Sequence, residues 1–159
     1  MKVGIFFGSK SDQETMKKAY DILTELEIPS ESYVLSAHRV PEELHATLAR
    51  LEEEGCEVFI AGAGLAAHLP GVIASMTVKP VIGVPLKGAL EGLDALLSIV
   101  QMPKQIPVAT VGINNAANAG MLAAQILGVK YPEVSRRLTD YRRKMKEDFL
   151  KDNNGKVEY

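Results

Sequence analysis

The sequence predicts an α/β fold, a three-layer sandwich with a five-stranded parallel sheet at its centre. Two observations predict it: short β-rich runs alternate with helical patterns along the chain, and those runs are almost continuously apolar, as strands buried on both faces must be. A third element, one more amphipathic helix, follows after the alternation has ended.

The strand-like runs cover 2–7, 32–35, 57–61, 81–84 and 108–113. Between the first two, Met16, Ala19, Tyr20, Leu23 and Leu26 recur on one helical face. Between the second and third, Leu44, Leu48 and Leu51 do the same after Pro41, a residue suited to a first helical turn; His45 falls on the opposite, solvated side. Later helices are expected over 66–76, 90–101 and 116–127, the last closed by Gly128 as a C-terminal cap. Right-handed crossovers and short connections favour the flavodoxin-like strand order 2-1-3-4-5.

The chain of 159 residues suits a single domain, with 1–128 as the α/β core. Beyond Pro132, Val134, Leu138, Tyr141, Met145 and Phe149 form an apolar stripe on a helix over 133–151. Because the core is complete before it, residues 129–151 are expected to pack at a subunit interface of a homo-oligomer, with packing on the chain's own core as the alternative. Residues 152–159 read as a polar tail.

A net charge of -2 gives no general attraction for nucleic acid or membranes and points to a small soluble ligand. No apolar run is long enough to span a bilayer. The lone Cys56 makes no internal disulfide and the start has no charged, cleavable leader, which places the protein in the cytoplasm. There is no Walker A sequence, no zinc-spaced Cys or His pair and no nucleophile elbow, so neither a metal nor a cofactor is expected.

In an open parallel sheet, ligands bind at the carboxyl ends of the strands, so three loops are read together. The first, Gly8-Ser9-Lys10-Ser11-Asp12, offers hydroxyls beside the free N–H groups of a helix start, while Asp12 can accept from ribose hydroxyls. A ribose phosphate suits it, and a plain capping box explains it equally well. The second, Ser36-Ala37-His38-Arg39, sets an imidazole able to exchange protons near neutrality beside a guanidinium able to clamp phosphate. The third, Ala61-Gly62-Ala63-Gly64-Leu65-Ala66-Ala67-His68-Leu69-Pro70-Gly71, lets backbone lie against a planar ligand. It contains Gly62-x-Gly64-x-x-Ala67, but the following strand ends in Gly83-Val84-Pro85-Leu86-Lys87 without the ribose-binding acid of a nicotinamide site. Gly83-Val84-Pro85 and Gln101-Met102-Pro103 are further candidates for the same mouth, although turn chemistry alone accounts for their Gly and Pro.

The segments GSKSD, SAHRVPE, AGAGLAAHLPG, GVPL, SIVQMP and NAGMLAAQIL stand in the order found in the N5-carboxyaminoimidazole ribonucleotide mutases of purine biosynthesis, a family that the chain resembles over nearly all of its first 128 residues. The resemblance implies a flavodoxin-like homo-octamer without cofactor that shifts a carboxyl group from an exocyclic nitrogen to a ring carbon. It implies ribose-phosphate binding by Ser9, Asp12 and Arg39, with Ser11, Ser36 and Ala37 assisting, and proton transfer by His38. Gly62, Ala63, Gly64, Ala66, His68 and Leu69 would meet the imidazole and carboxylate end of the substrate. A direct carboxylase using CO2, or a binding module of the same fold, are the alternatives; the carboxylases usually carry Lys in place of Arg39.

Overall fold

The computed structural model describes residues 1–153. It contains β1 (Val3–Phe7), a 3-10 turn (Lys10–Asp12), α1 (Gln13–Glu25), β2 (Ser30–Val34), α2 (Pro41–Glu53), β3 (Val58–Gly64), α3 (Leu69–Met76), β4 (Val81–Leu86), α4 (Leu93–Val100), β5 (Ala109–Thr110), α5 (Ala116–Lys130) and α6 (Pro132–Asn153). The five strands form one sheet in the order β2-β1-β3-β4-β5, every pairing parallel, as the alternation predicts. Of the expected tail, residues 154–159 lie outside the described residues.

The pleat sorts the core into two layers. Val3, Ile5 and Phe7 of β1 pack with Met16, Ala19 and Leu23 of α1 and with Ala119, Ala123 and Leu127 of α5. Phe6 points the other way, to Leu44, Leu48 and Leu51 of α2 and, through Phe59 and Ala61, to Ile73 of α3 and Ile99 of α4. At the amino ends of the strands, Glu57 is held by Lys130, by the Tyr131 hydroxyl and by the chain's own ammonium group.

Several boundaries differ from the sequence expectation, and each has a backbone cause. α3 begins at Leu69 rather than residue 66 because Leu65 and Ala67 take positive φ of 55° and 40°. α4 begins at Leu93 rather than residue 90 because Leu90, Glu91 and Gly92 are all left-handed, at φ of 45°, 57° and 89°. β5 is two residues long, since the chain bends away through Asn114 at φ 57°; Val111 and Asn114 still donate to the carbonyls of Gly83 and Pro85. Gly128 does not cap α5: the helix runs on to Lys130, and Gly128 faces Ser135 and Leu138 of α6.

α6 follows with Val134 fully buried and Leu138 and Tyr141 against the α1–α5 core, so the first half of its stripe is covered by its own chain. Arg137 fixes the same face by donating to the Leu26 carbonyl at 3.2 Å and pairing with Glu27 at 2.7 Å. Met145 and Leu150, further along, are more than half exposed, at 58% and 51%. No helix among the described residues is long and apolar enough to cross a membrane.

Candidate active site

The carboxyl ends of β1, β2, β3 and β4 surround a cavity of about 490 Å³, within the usual range for a small-molecule site. The three loops singled out from the sequence meet there. Ser9, Ser11, Asp12, Ser36, Ala37, His38, Arg39, Ala63, Gly64, Ala66, His68 and Leu69 all line it.

Each loop is set by its strand. Leu35 N–H donates to the Phe7 carbonyl at 2.9 Å, prolonging the β1–β2 ladder and bringing Ser36 level with Gly8. A turn closed by Arg39 N–H and Val40 N–H on the Ser36 carbonyl then presents His38 and Arg39 before Pro41 starts α2. Arg39 Nη2 donates to the Gly8 carbonyl at 2.7 Å and ties the second loop to the first. One such bond leaves most of the five guanidinium donors available for an anion.

The Ser9 hydroxyl accepts from Ser11 N–H at 3.3 Å and from the Ser11 hydroxyl at 2.9 Å, capping the 3-10 turn. Burial pushes the Asp12 carboxyl above its ordinary range, while hydrogen bonds from Ser11 and the Ser9 backbone pull the other way. The capping reading of this motif is therefore satisfied within the cavity wall itself; a cap and a ligand-facing hydroxyl pair are not exclusive here.

The strongest sign of designed chemistry joins the second and third loops. His38 Nε2 lies 2.7 Å from His68 Nδ1, with the two rings edge to face at 4.9 Å between centroids. A contact that short holds one proton between the two nitrogens, so whichever ring donates fixes the tautomer of both. Leu65 and Ala67, on the loop that carries His68, occupy the left-handed region that costs a β-carbon-bearing residue on the order of 1–3 kcal/mol, the kind of strain that gathers at functional sites.

Gly62 is the one proposed binding residue that the cavity does not include. It is buried with its α-hydrogens toward α1, and a β-carbon there would stand 2.3 Å from Met16 Sδ; its smallness serves the packing of α1. Gly83-Val84-Pro85 and Gln101-Met102-Pro103 are also absent from the wall. In their place, β4 runs one residue beyond Pro85, and Leu86, Lys87 and Gly88 close the cavity beside Leu65 and Ala67. The sequence signal for these was the position of Lys87 just past the fourth strand, the same place in the pattern that the first three loops occupy. No cluster of three or more metal-ligating side chains occurs among the described residues.

The profile of the family described as AIR carboxylase matches residues 2–148. The N5-carboxyaminoimidazole ribonucleotide mutase of Pyrococcus abyssi is 59% identical over 146 residues, 91% of this chain and 84% of that protein. The mutase of the same name from Bacillus subtilis is 51% identical over 155 residues, 96% of both chains. The crystal structure of Treponema denticola PurE has the same fold, with a TM-score of 0.88 at 24% identity and 99% of each chain covered.

Proposed function

Because this chain belongs to the AIR carboxylase family and matches mutases of that family over nearly its whole length, we infer that it is an N5-carboxyaminoimidazole ribonucleotide mutase, an isomerase that moves a carboxyl group from the exocyclic nitrogen of an aminoimidazole ribonucleotide to ring carbon C4. The observation that carries the residue-level reading is the His38–His68 pair standing between a hydroxyl-rich loop and a loop of small residues in one cavity.

In this reading, Ser9, Ser11, Ser36 and Arg39 hold the phosphate, Asp12 accepts from the ribose hydroxyls, and the backbone of Ala63, Gly64 and Ala66 lies against the imidazole. Such positioning supplies much of the rate advantage of a bound reaction. The carbamate N–C bond breaks, releasing CO2, and the nitrogen takes a proton from His38. C4 then attacks CO2 and gives its own proton back to His38, so the enzyme ends as it began. His68 holds the His38 ring in the orientation that both transfers need.

Two further parts of the reading concern setting. We assign the protein to the cytoplasm on its single Cys56, which is buried and whose thiol burial pushes up to about 11, leaving no pairing or reactive role. We assign it to a homo-oligomer, with eight copies as the number that the resemblance suggests; the exposed apolar residues Leu93, Leu97 and Val100 along α4 and Met145 on α6 are the support.

Isotopic bicarbonate tests the reaction. Purified protein given N5-carboxyaminoimidazole ribonucleotide in labelled bicarbonate should form 4-carboxyaminoimidazole ribonucleotide with little label in a single turnover. Heavily labelled product would make the enzyme a direct carboxylase, and no product at all would leave a binding module.

A further inference from the structure

Lys87 lines the cavity, and its ammonium pairs with Glu91 on the same loop. The loop backbone is fixed: Lys87 N–H donates to Asn114 Oδ1 at 2.8 Å, and Asn114 N–H donates to the Pro85 carbonyl at 2.8 Å. Leu90 and Glu91 are held in left-handed conformations that Leu and Glu seldom adopt. This strained turn is what brings Glu91 back onto Lys87.

The ion pair cannot be the reason for the strain. Both side chains are more than half exposed, at 53% and 80%, and such pairs contribute little to stability. A weak pair is also one that a better-placed anion displaces easily. The position of that anion follows from the strand order β2-β1-β3-β4. Arg39 reaches back over the end of β1, where its guanidinium meets the Gly8 carbonyl, and Lys87 follows β4 directly, so the two cations flank the cavity from strands two spacings, or ~10 Å, apart. That is the span of a ribonucleotide with an anionic group at each end.

Building on the mutase reading, we propose that Lys87 binds the carboxylate end of the substrate and product, exchanging it for Glu91 whenever that end is uncharged. When Arg39 holds the phosphate, Lys87 meets the carbamate before transfer and the C4 carboxylate after it. At the intermediate stage the CO2 is neutral, and Lys87 returns to Glu91. The flexible ammonium stem of Lys suits such an exchange better than a planar guanidinium. An interaction made with both carboxylates and given up with CO2 tightens binding without helping turnover, so its removal should raise KM and leave kcat no lower.

Binding of two nucleotides to the intact enzyme tests this, one with the carboxylate (4-carboxyaminoimidazole ribonucleotide) and one without it (aminoimidazole ribonucleotide). Lys87→Met should weaken the carboxylated ligand about tenfold or more and the uncarboxylated one less than about twofold. Lys87→Arg should restore part of the loss, and Glu91→Gln should tighten the carboxylated ligand several-fold by removing its competitor. Equal weakening of both ligands by Lys87→Met, weakening of neither, or weaker carboxylate binding in Glu91→Gln would overturn the proposal. Wild-type enzyme that bound neither nucleotide would instead overturn the mutase reading, and this inference with it.

Discussion

Whether Gly62 is a ligand contact or a packing residue can be decided by a single methyl group. A β-carbon at Gly62 would meet Met16 at 2.3 Å from Sδ, 3.0 Å from Cε and 3.1 Å from Cγ, where carbon contacts normally stand at about 3.5–4.0 Å. Swinging the sulfur aside does not clear the site, because Cγ is crowded too, and Met16 is only 1% exposed, with core on every side. Gly62→Ala therefore forces Met16 off its rotamer or lifts α1 from the sheet, at about 1–3 kcal/mol. For a chain of this size each kcal/mol lowers Tm by roughly 2–4 °C, so thermal unfolding should fall by about 2–12 °C. Met16→Ala removes Cγ, Sδ and Cε and costs about 2–5 kcal/mol alone, but the double variant should recover at least about 1 kcal/mol relative to the sum. Since α1 carries Ser9–Asp12 at its start, Gly62→Ala should also weaken nucleotide binding, and the same second change should restore it. An unchanged Tm with a raised KM that Met16→Ala does not relieve would show that Gly62 touches the ligand and that the packing argument is wrong.

Two other perturbations separate chemistry from architecture. His38→Asn should keep the wild-type circular dichroism and Tm while turnover falls by about two orders of magnitude or more; a rate within tenfold of wild type would remove His38 from the proton transfers. Glu57→Gln should act on stability alone. Lys130 first, and then Tyr131, holds the Glu57 carboxyl down at about 2, against an ordinary value of 4.5. A lowered carboxyl stabilises the native state above the ordinary value and loses that contribution as pH falls through the lowered one. Urea midpoints of the wild type should thus decline between about pH 4.5 and 2, while those of Glu57→Gln start lower at pH 6 and decline less; parallel curves would exclude Glu57 as a source of acid sensitivity.

The architecture was legible because it depends on period and punctuation, which are local. Alternating apolar runs fixed the strand count and the helix faces, and the rule that ligands gather at strand ends joined three loops far apart in sequence. What the sequence could not convey were conformations imposed from outside a segment. Gly92 announces a left-handed turn, but nothing in Leu90 or Glu91 does; they take φ of 45° and 57° inside a turn closed by Gly92 N–H on the Ala89 carbonyl and Leu93 N–H on the Leu90 carbonyl. The His38–His68 contact requires the register of β2 against β1 and of β1 against β3, a tertiary quantity. Gly62 was readable in principle: counting in twos from Val58 and Ile60 puts it on the α1 face, whereas Ala61 and Ala63 fall on the other. Composition made the stretch look uniform, and alternation would have divided it.

The proposed chemistry also bears on the proposed assembly. A reaction that passes through free CO2 succeeds only if the gas recombines faster than it escapes, which calls for a site closed to water at that moment. In the single chain His38, Arg39, His68 and Lys87 are all exposed, and the cavity they line opens to solvent. Its wall includes Leu65, 58% exposed, and the loop that carries Lys87 continues to Leu90, 74% exposed. Large apolar side chains at the mouth of a cavity open to solvent gain nothing from water there. They gain much if a second copy of the chain covers them, and the same contact would seal the cavity. Closure for catalysis and burial of α4 and its preceding loop are then one event, so enzyme held as separate chains should bind the nucleotide yet lose CO2 to solvent and release aminoimidazole ribonucleotide.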